Sequence, residues 1–150
     1  MLSHARVTAL DPLLADYRTL PHFDPGAYPD VRFRDEPLEG FVADTEYDYV
    51  FCLNAINHVL DLDAAAQALA SALAEDGLAV VSVDAHRHAP LRRVFAAIPG
   101  DVLHPHQLDE AGYVLALQRA GLEVVDRVLI HRAALFDYVA LVCFRKTGQR

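Results

Sequence analysis

The amino-acid sequence predicts an α/β domain whose sheet is mostly parallel, with an antiparallel strand at its carboxyl-terminal edge. Three observations carry that expectation. Residues 49–53 and 78–83 are nearly continuous apolar runs, the pattern of strands covered on both faces. Between them Leu62, Ala66, Leu69 and Leu73 recur at helical spacing in alanine-rich sequence. The last two β-rich runs, 122–131 and 135–145, are joined by a turn short enough for an antiparallel hairpin.

Taken in order, residues 5–10 form a short apolar strand that stops at Asp11 and Pro12. Asp11 suits a helix cap and Pro12 the first helical turn, with Leu13, Leu14 and Tyr17 on one apolar face. Residues 21–30 hold three prolines and Gly26 and read as a loop. A short strand follows over 31–34, then an acidic, irregular stretch to residue 46. The helix beginning near Leu62 is expected to close at Gly77. Residues 84–106 mix histidine, arginine and proline around a short helix near 91–97, and 109–120 is an amphipathic helix closed by Gly121. The resulting order is β-α-β-β-α-β-α-β-β in a single domain spanning residues 1–150, with no internal repeat or linker.

Composition narrows the function classes. The chain has 150 residues, 53% of them hydrophobic and 23% charged, which is ordinary for a globular domain. Its net charge of −8 argues against nonspecific nucleic-acid binding, which needs a basic face. Cys52 and Cys143 lie in apolar runs and read as reduced thiols of an intracellular protein. No stretch has the apolar length of a membrane span, and the amino terminus lacks a signal peptide's apolar segment, so a cytoplasmic location is expected.

Four phrases in sequence order carry a family resemblance. They are VTALDPLLADYR (7–18), VRFRDEPLEGF (31–41), YDYVFCLNAINHV (47–59) and LHPHQLDEAGYVLALQRAGLEVV (103–125), followed by LFDYVALVCFRK (135–146). Together they resemble a class I S-adenosylmethionine-dependent methyltransferase of the small-molecule type, over residues 5–146. The resemblance implies a Rossmann-like methyltransferase sheet with an antiparallel last strand, S-adenosylmethionine as cofactor, and methyl transfer to a small-molecule acceptor. It implies that Asp11, with Pro12 beside it, accepts hydrogen bonds from the cofactor ribose; the alternative is a carboxylate that only caps the next helix. It implies that Glu36 or Asp35 accepts from the adenine amino group with Leu38 against the ring; the alternative is a solvated acidic loop. Asn54 would contact the cofactor at a strand's carboxyl end. His58 would face cofactor or substrate, or else pack beneath the following helix. His104 and His106 would serve as general base toward the acceptor.

The chain departs from that family in one respect. The glycine-rich loop and the first strand that precede these phrases are missing. The seven glycines are scattered, and the closest pair, Gly112 and Gly121, is nine residues apart. Three outcomes are open: strand 5–10 pairs directly with strand 49–53, a second chain (by dimerisation or as an amino-terminal partner) completes the sheet, or the chain is part of a longer enzyme. A non-catalytic remnant acting as a binding or dimerisation module, or one part of a split enzyme, is therefore the alternative function. Two H-x-H pairs, His86/His88 and His104/His106, with Asp84 near the first, could hold a metal. Relatives with the second phrase are not generally metalloenzymes, and no metal is expected. Ser71 and Ser82 lack the glycines of a nucleophile elbow.

Overall fold

The computed structural model describes residues 5–88, 105–106 and 108–146. In chain order they form β1 (Val7–Leu10), α1 (Leu14–Tyr17), β2 (Val31–Arg34), β3 (Tyr47–Leu53), α2 (Leu62–Ala72), β4 (Leu73–His86), α3 (Glu110–Arg119), β5 (Leu122–Arg132) and β6 (Phe136–Arg145). The expected order of strands and helices is present; the short helix expected near 91–97 lies outside the described residues.

The strands make two sheets. β1 and β2 pair in parallel as a two-stranded sheet, and a four-stranded sheet runs β3-β4-β6-β5. β3 and β4 are parallel, as a helical crossover requires. β6 is antiparallel to both β4 and β5, which fits the short connection from Arg132 to Phe136. The last strand is antiparallel as expected, but it lies inside the sheet between β4 and β5, not at its edge, because the hairpin from β5 folds β6 back into the slot beside β4.

Side-chain alternation explains where the core sits. Ala79, Val81, Val83 and Ala85 of β4 and Val139, Leu141 and Cys143 of β6 are all buried on one face. α2 and α3 cover that face. α2 starts where the Asp61 carboxylate accepts from Ala64 N at 2.9 Å, and its Ala65, Ala66, Leu69 and Ala70 enter the core. Small alanines let the helix axis approach the sheet. α3 is capped in the same way, Asp109 accepting from Gly112 N at 3.0 Å, and buries Tyr113, Ala116 and Leu117.

Two expectations are corrected. α2 ends at Ala72, not at Gly77. Leu73 is already extended, fully buried and paired with Tyr47, so sheet pairing stops the helix before the glycine is reached. Gly77 lies within β4, where an added Cβ would come within 2.9 Å of the Tyr47 carbonyl oxygen and 2.8 Å of Leu73 Cδ1. Second, β3 is covered on one face only. Cys52 is buried against the helices, but Tyr49, Phe51 and Leu53 are 64%, 63% and 61% exposed. β1 and β3 do not pair, so direct closure of the sheet is not the outcome. Among the described residues no helix is long and apolar enough to cross a membrane.

Gly77→Ala should destabilise the protein by about 1–3 kcal/mol through overpacking, seen as a lower urea midpoint at unchanged slope. Burial pushes the thiols of Cys52 and Cys143 from 9.0 up to about 11. The unfolded chain then releases these protons at lower pH than the native state. The stability they contribute is present below about pH 9 and lost as pH rises through 11. A Cys52→Ala/Cys143→Ala double variant should show a shallower fall in melting temperature over that range.

Candidate functional site

The site is built at the carboxyl ends of the parallel strands, where α/β sheets bind ligands. β1 ends at Leu10 and is followed by Asp11. The Asp11 backbone N–H donates to Arg34 O at 3.2 Å, and its Oδ1 accepts from Leu13 N at 2.8 Å. The carboxylate therefore fixes the turn ahead of α1 and does not cap the helix itself, which begins only at Leu14 with Leu13 at its cap position and no side-chain cap. Pro12 is exposed beside it. Beyond β2, Glu36 is ion-paired with Arg34 at 2.5 Å and Asp35 is exposed. Leu38 is partly buried against the main core.

β3 ends in a constrained polar turn. Asn54 has φ 54°, the left-handed region that asparagine tolerates better than most residues. Its backbone N–H donates to Ser82 Oγ at 2.7 Å, which ties the end of β3 to β4. With its side-chain nitrogen turned toward Asp84, the Asn54 amide donates to both carboxylate oxygens, at 3.0 and 3.1 Å. Asn57, 1% exposed, accepts from the Asp84 backbone N–H at 3.3 Å. His58 is exposed, so it does not pack beneath the following helix. Glu39 Oε1 accepts from Leu60 N at 2.7 Å and joins the loop after β2 to the loop after β3.

On the β4 side, Tyr113 of α3 donates its hydroxyl to the His106 backbone oxygen at 3.0 Å. Burial, then the negative charge of Asp84, hold the Tyr113 phenol well above its ordinary pKa. His106 Nε2 is buried without a hydrogen-bond partner among the described residues. His104 lies outside the described residues.

The structure thus brings Asn54, Asn57, Ser82 and Asp84 together at one end of β3 and β4. Tyr113 was not singled out from sequence, and Asp84 was weighed only as a carboxylate beside the first histidine pair; its position near a strand end is the signal that could have marked it for this cluster. The first H-x-H pair, His86/His88, is separated. β4 ends at His86, which packs at a tilt on Phe136 with ring centroids 4.4 Å apart, while the exposed His88 reaches the Ala134 carbonyl at 3.3 Å. Among the described residues no group of three potential metal ligands forms. A shallow concavity lined by Asp48, Tyr49, Asp76, Leu78 and Phe144 lies toward the other end of the strands. It lies away from the polar cluster of Asn54, Asn57, Ser82 and Asp84, so the candidate site is placed at the carboxyl ends.

Comparison with known proteins agrees with this fold. A family model described as "Methyltransferase domain" matches residues 4–127, and the chain belongs to that family, the class I S-adenosylmethionine-dependent methyltransferases. No curated protein matches the chain. Among solved structures it is similar to the 1,6-didemethyltoxoflavin-N1-methyltransferase of Burkholderia thailandensis, determined with 1,6-didemethyltoxoflavin and S-adenosylhomocysteine bound. The identity is 17% and the TM-score 0.65, over 94% of this chain and 61% of that one. It is similar to the N-methyltransferase NodS of Bradyrhizobium japonicum in complex with S-adenosylhomocysteine (18% identity, TM-score 0.65, 95% of this chain and 67% of that one). A chain of the Haloferax volcanii complex between the Trm112 methyltransferase activator and a methyltransferase is also similar (15%, TM-score 0.70, 94% and 72%). At these identities the likeness is one of fold, and this chain spans 61–72% of the length of those structures.

Asn54→Ala should be less stable than Asn54→Gly by about 1 kcal/mol, because both lose the Asp84 contact but only alanine is strained at φ 54°. Thermal denaturation of the two variants measures the difference.

Proposed function

We propose that the protein is an S-adenosylmethionine-dependent methyltransferase acting on a small-molecule acceptor. One observation carries the reading: a chain of the methyltransferase-domain family places Asp11, Asn54 and Asp84 at the carboxyl ends of three parallel strands. The donor set fits the nucleoside half of the cofactor. Asp11, pinned through one oxygen, offers the other to ribose hydroxyls. Glu36 and Leu38 flank the adenine side, Asn54 forms the crevice floor, and the exposed His58 stands at its mouth. The methionyl half finds no glycine-rich cradle among the described residues.

When bound, the cofactor supplies an electrophilic sulfonium methyl group. The protein's own part is to orient the acceptor and to move its proton. His106 Nε2, buried and unpartnered among the described residues, is the atom proposed to take that proton, with His104 as the second candidate in the same phrase. The acceptor is taken to be a small molecule because the B. thailandensis enzyme holds one, and because the chain's charge disfavours nucleic acid. A binding or dimerisation module is the second reading, favoured by the uncovered apolar side of β3. A cytoplasmic location belongs to the proposal as well.

Calorimetric titration with S-adenosylhomocysteine should give saturable one-site binding. Asp11→Ala should weaken it by about one to two orders of magnitude, the loss expected for a charged hydrogen-bond acceptor. No binding at millimolar ligand by a folded sample would overturn the enzyme reading for this chain acting alone.

A further inference from the structure

We propose that Arg87 and Arg132, braced on Asp137, receive a carboxylate carried by the methyl acceptor; as an acceptor site it rests on the methyltransferase reading, and it gives that acceptor a chemical class. The backbone sets the position. β4 ends at His86, whose N–H donates to Leu108 O at 2.9 Å, and the next N–H, that of Arg87, donates to Leu135 O at 3.0 Å. The end of β4 is thus tied on one side to the segment that follows His106 and on the other to the turn between β5 and β6. His106 is itself held by Tyr113, which donates to its backbone oxygen at 3.0 Å. Arg87 therefore leaves the sheet beside the segment that carries the proposed proton acceptor.

The charges do not balance there. In the register of β4 with β6, Asp137 faces Ala85, on the side of the sheet that the helices cover. Its carboxylate, 16% exposed, accepts from Arg132 Nε at 3.0 Å and Nη2 at 3.3 Å, and Arg87 Nε lies 3.4 Å from its Oδ1. Arg87 Nη1 donates to Ala133 O at 2.9 Å. Arg127, paired with Glu110 at 2.5 Å, also lies within the field of Asp137. Three guanidiniums thus share two carboxylates, a local excess of one positive charge in a chain whose net charge is −8. Arg132 and Asp137 already pin the turn through two hydrogen bonds, so closing the hairpin needs no second arginine. Arg87 Nη2 and Arg132 Nη1 make no hydrogen bond among the described residues, and the two side chains are 31% and 56% exposed.

This arrangement selects among anions. A guanidinium presents its N–H groups in a planar fork that matches the two oxygens of a carboxylate, as Arg132 does toward Asp137. The single excess charge equals that of one carboxylate. A phosphate monoester carries about −1.5 to −2 at neutral pH and would leave negative charge uncompensated against Asp137. The ligand is therefore a small carboxylic acid, anchored here through its carboxylate while its nucleophilic group faces the His106 segment.

The test uses the 150-residue chain without cofactor and follows the arginine Nε–H resonances, with benzoate as the probe and benzamide as its uncharged match. Benzoate should shift the Arg87 and Arg132 signals saturably, with half-saturation at about 1 mM, and benzamide should not. Arg132→Gln, at a half-exposed position that leaves the circular dichroism unchanged, should weaken benzoate about tenfold. Arg119→Gln removes the same charge from the ion pair with Asp63 and should leave the affinity unchanged. Inorganic phosphate should bind more weakly than benzoate. The proposal is overturned by no saturation with benzoate on the order of 10 mM, by an equal response to benzamide, by tighter binding of phosphate, or by an Arg119→Gln loss as large as that of Arg132→Gln. Benzoate binding in a chain that fails to bind S-adenosylhomocysteine would leave the carboxylate site standing and overturn its assignment to a methyl acceptor.

Discussion

β4 is bonded to β3 on one side and to β6 on the other, and the described structure is arranged around that double pairing. Its alternation sends Ala79, Val81, Val83 and Ala85 toward α2 and α3, so the helices are held on one side only. The other side carries Leu78, Val80, Ser82 and Asp84. Burying a side chain the size of valine or leucine is worth about 1.5–3 kcal/mol. The many such residues packed on the helix side therefore outweigh any single polar contact at the site. The same strand carries Ser82 and Asp84 to its carboxyl end, and Ser82 is what meets the Asn54 backbone.

The polar cluster is small but tightly referenced to this frame. Asn54 is strained in φ and is held by Ser82 through its backbone and by Asp84 through its side chain. Asn57, buried, fixes the backbone of Asp84. Such over-determination is what keeps a residue in a sparsely populated conformation, and it recurs at ligand-binding turns. Family membership and this placement support a nucleoside-binding crevice. Among the described residues the split of the sheet leaves an open space between β1 and β3. Fold alone does not set the reaction, so the weight rests on the named groups at the strand ends.

Much of the architecture was legible from local pattern. The spacing of Leu62, Ala66 and Leu69 marked α2, Asp109 and Gly121 bracketed α3, and the brief turn before Phe136 marked the hairpin. The boundary at Gly77 was misjudged because a glycine after a helical pattern resembles a cap, while the pairing of Leu73 with Tyr47 is a tertiary event. Of the site, Asp11, Asn54 and the acidic loop at Glu36 were visible as polar residues at strand ends. The contact of Asn54 with Asp84 was not, because it joins residues thirty positions apart.

By itself the sequence determined which segments become strands and helices and the α/β class, since these follow from local periodicity and residue chemistry, while the order of its phrases carried the resemblance to the family. Only the tertiary structure decided that the sheet stays split, that β3 shows an apolar face to solvent, that His86 turns onto Phe136 instead of toward His88, and that Asp84 joins the site. An apolar run records that a strand can be buried on both faces; whether anything covers it depends on the segments that pack there.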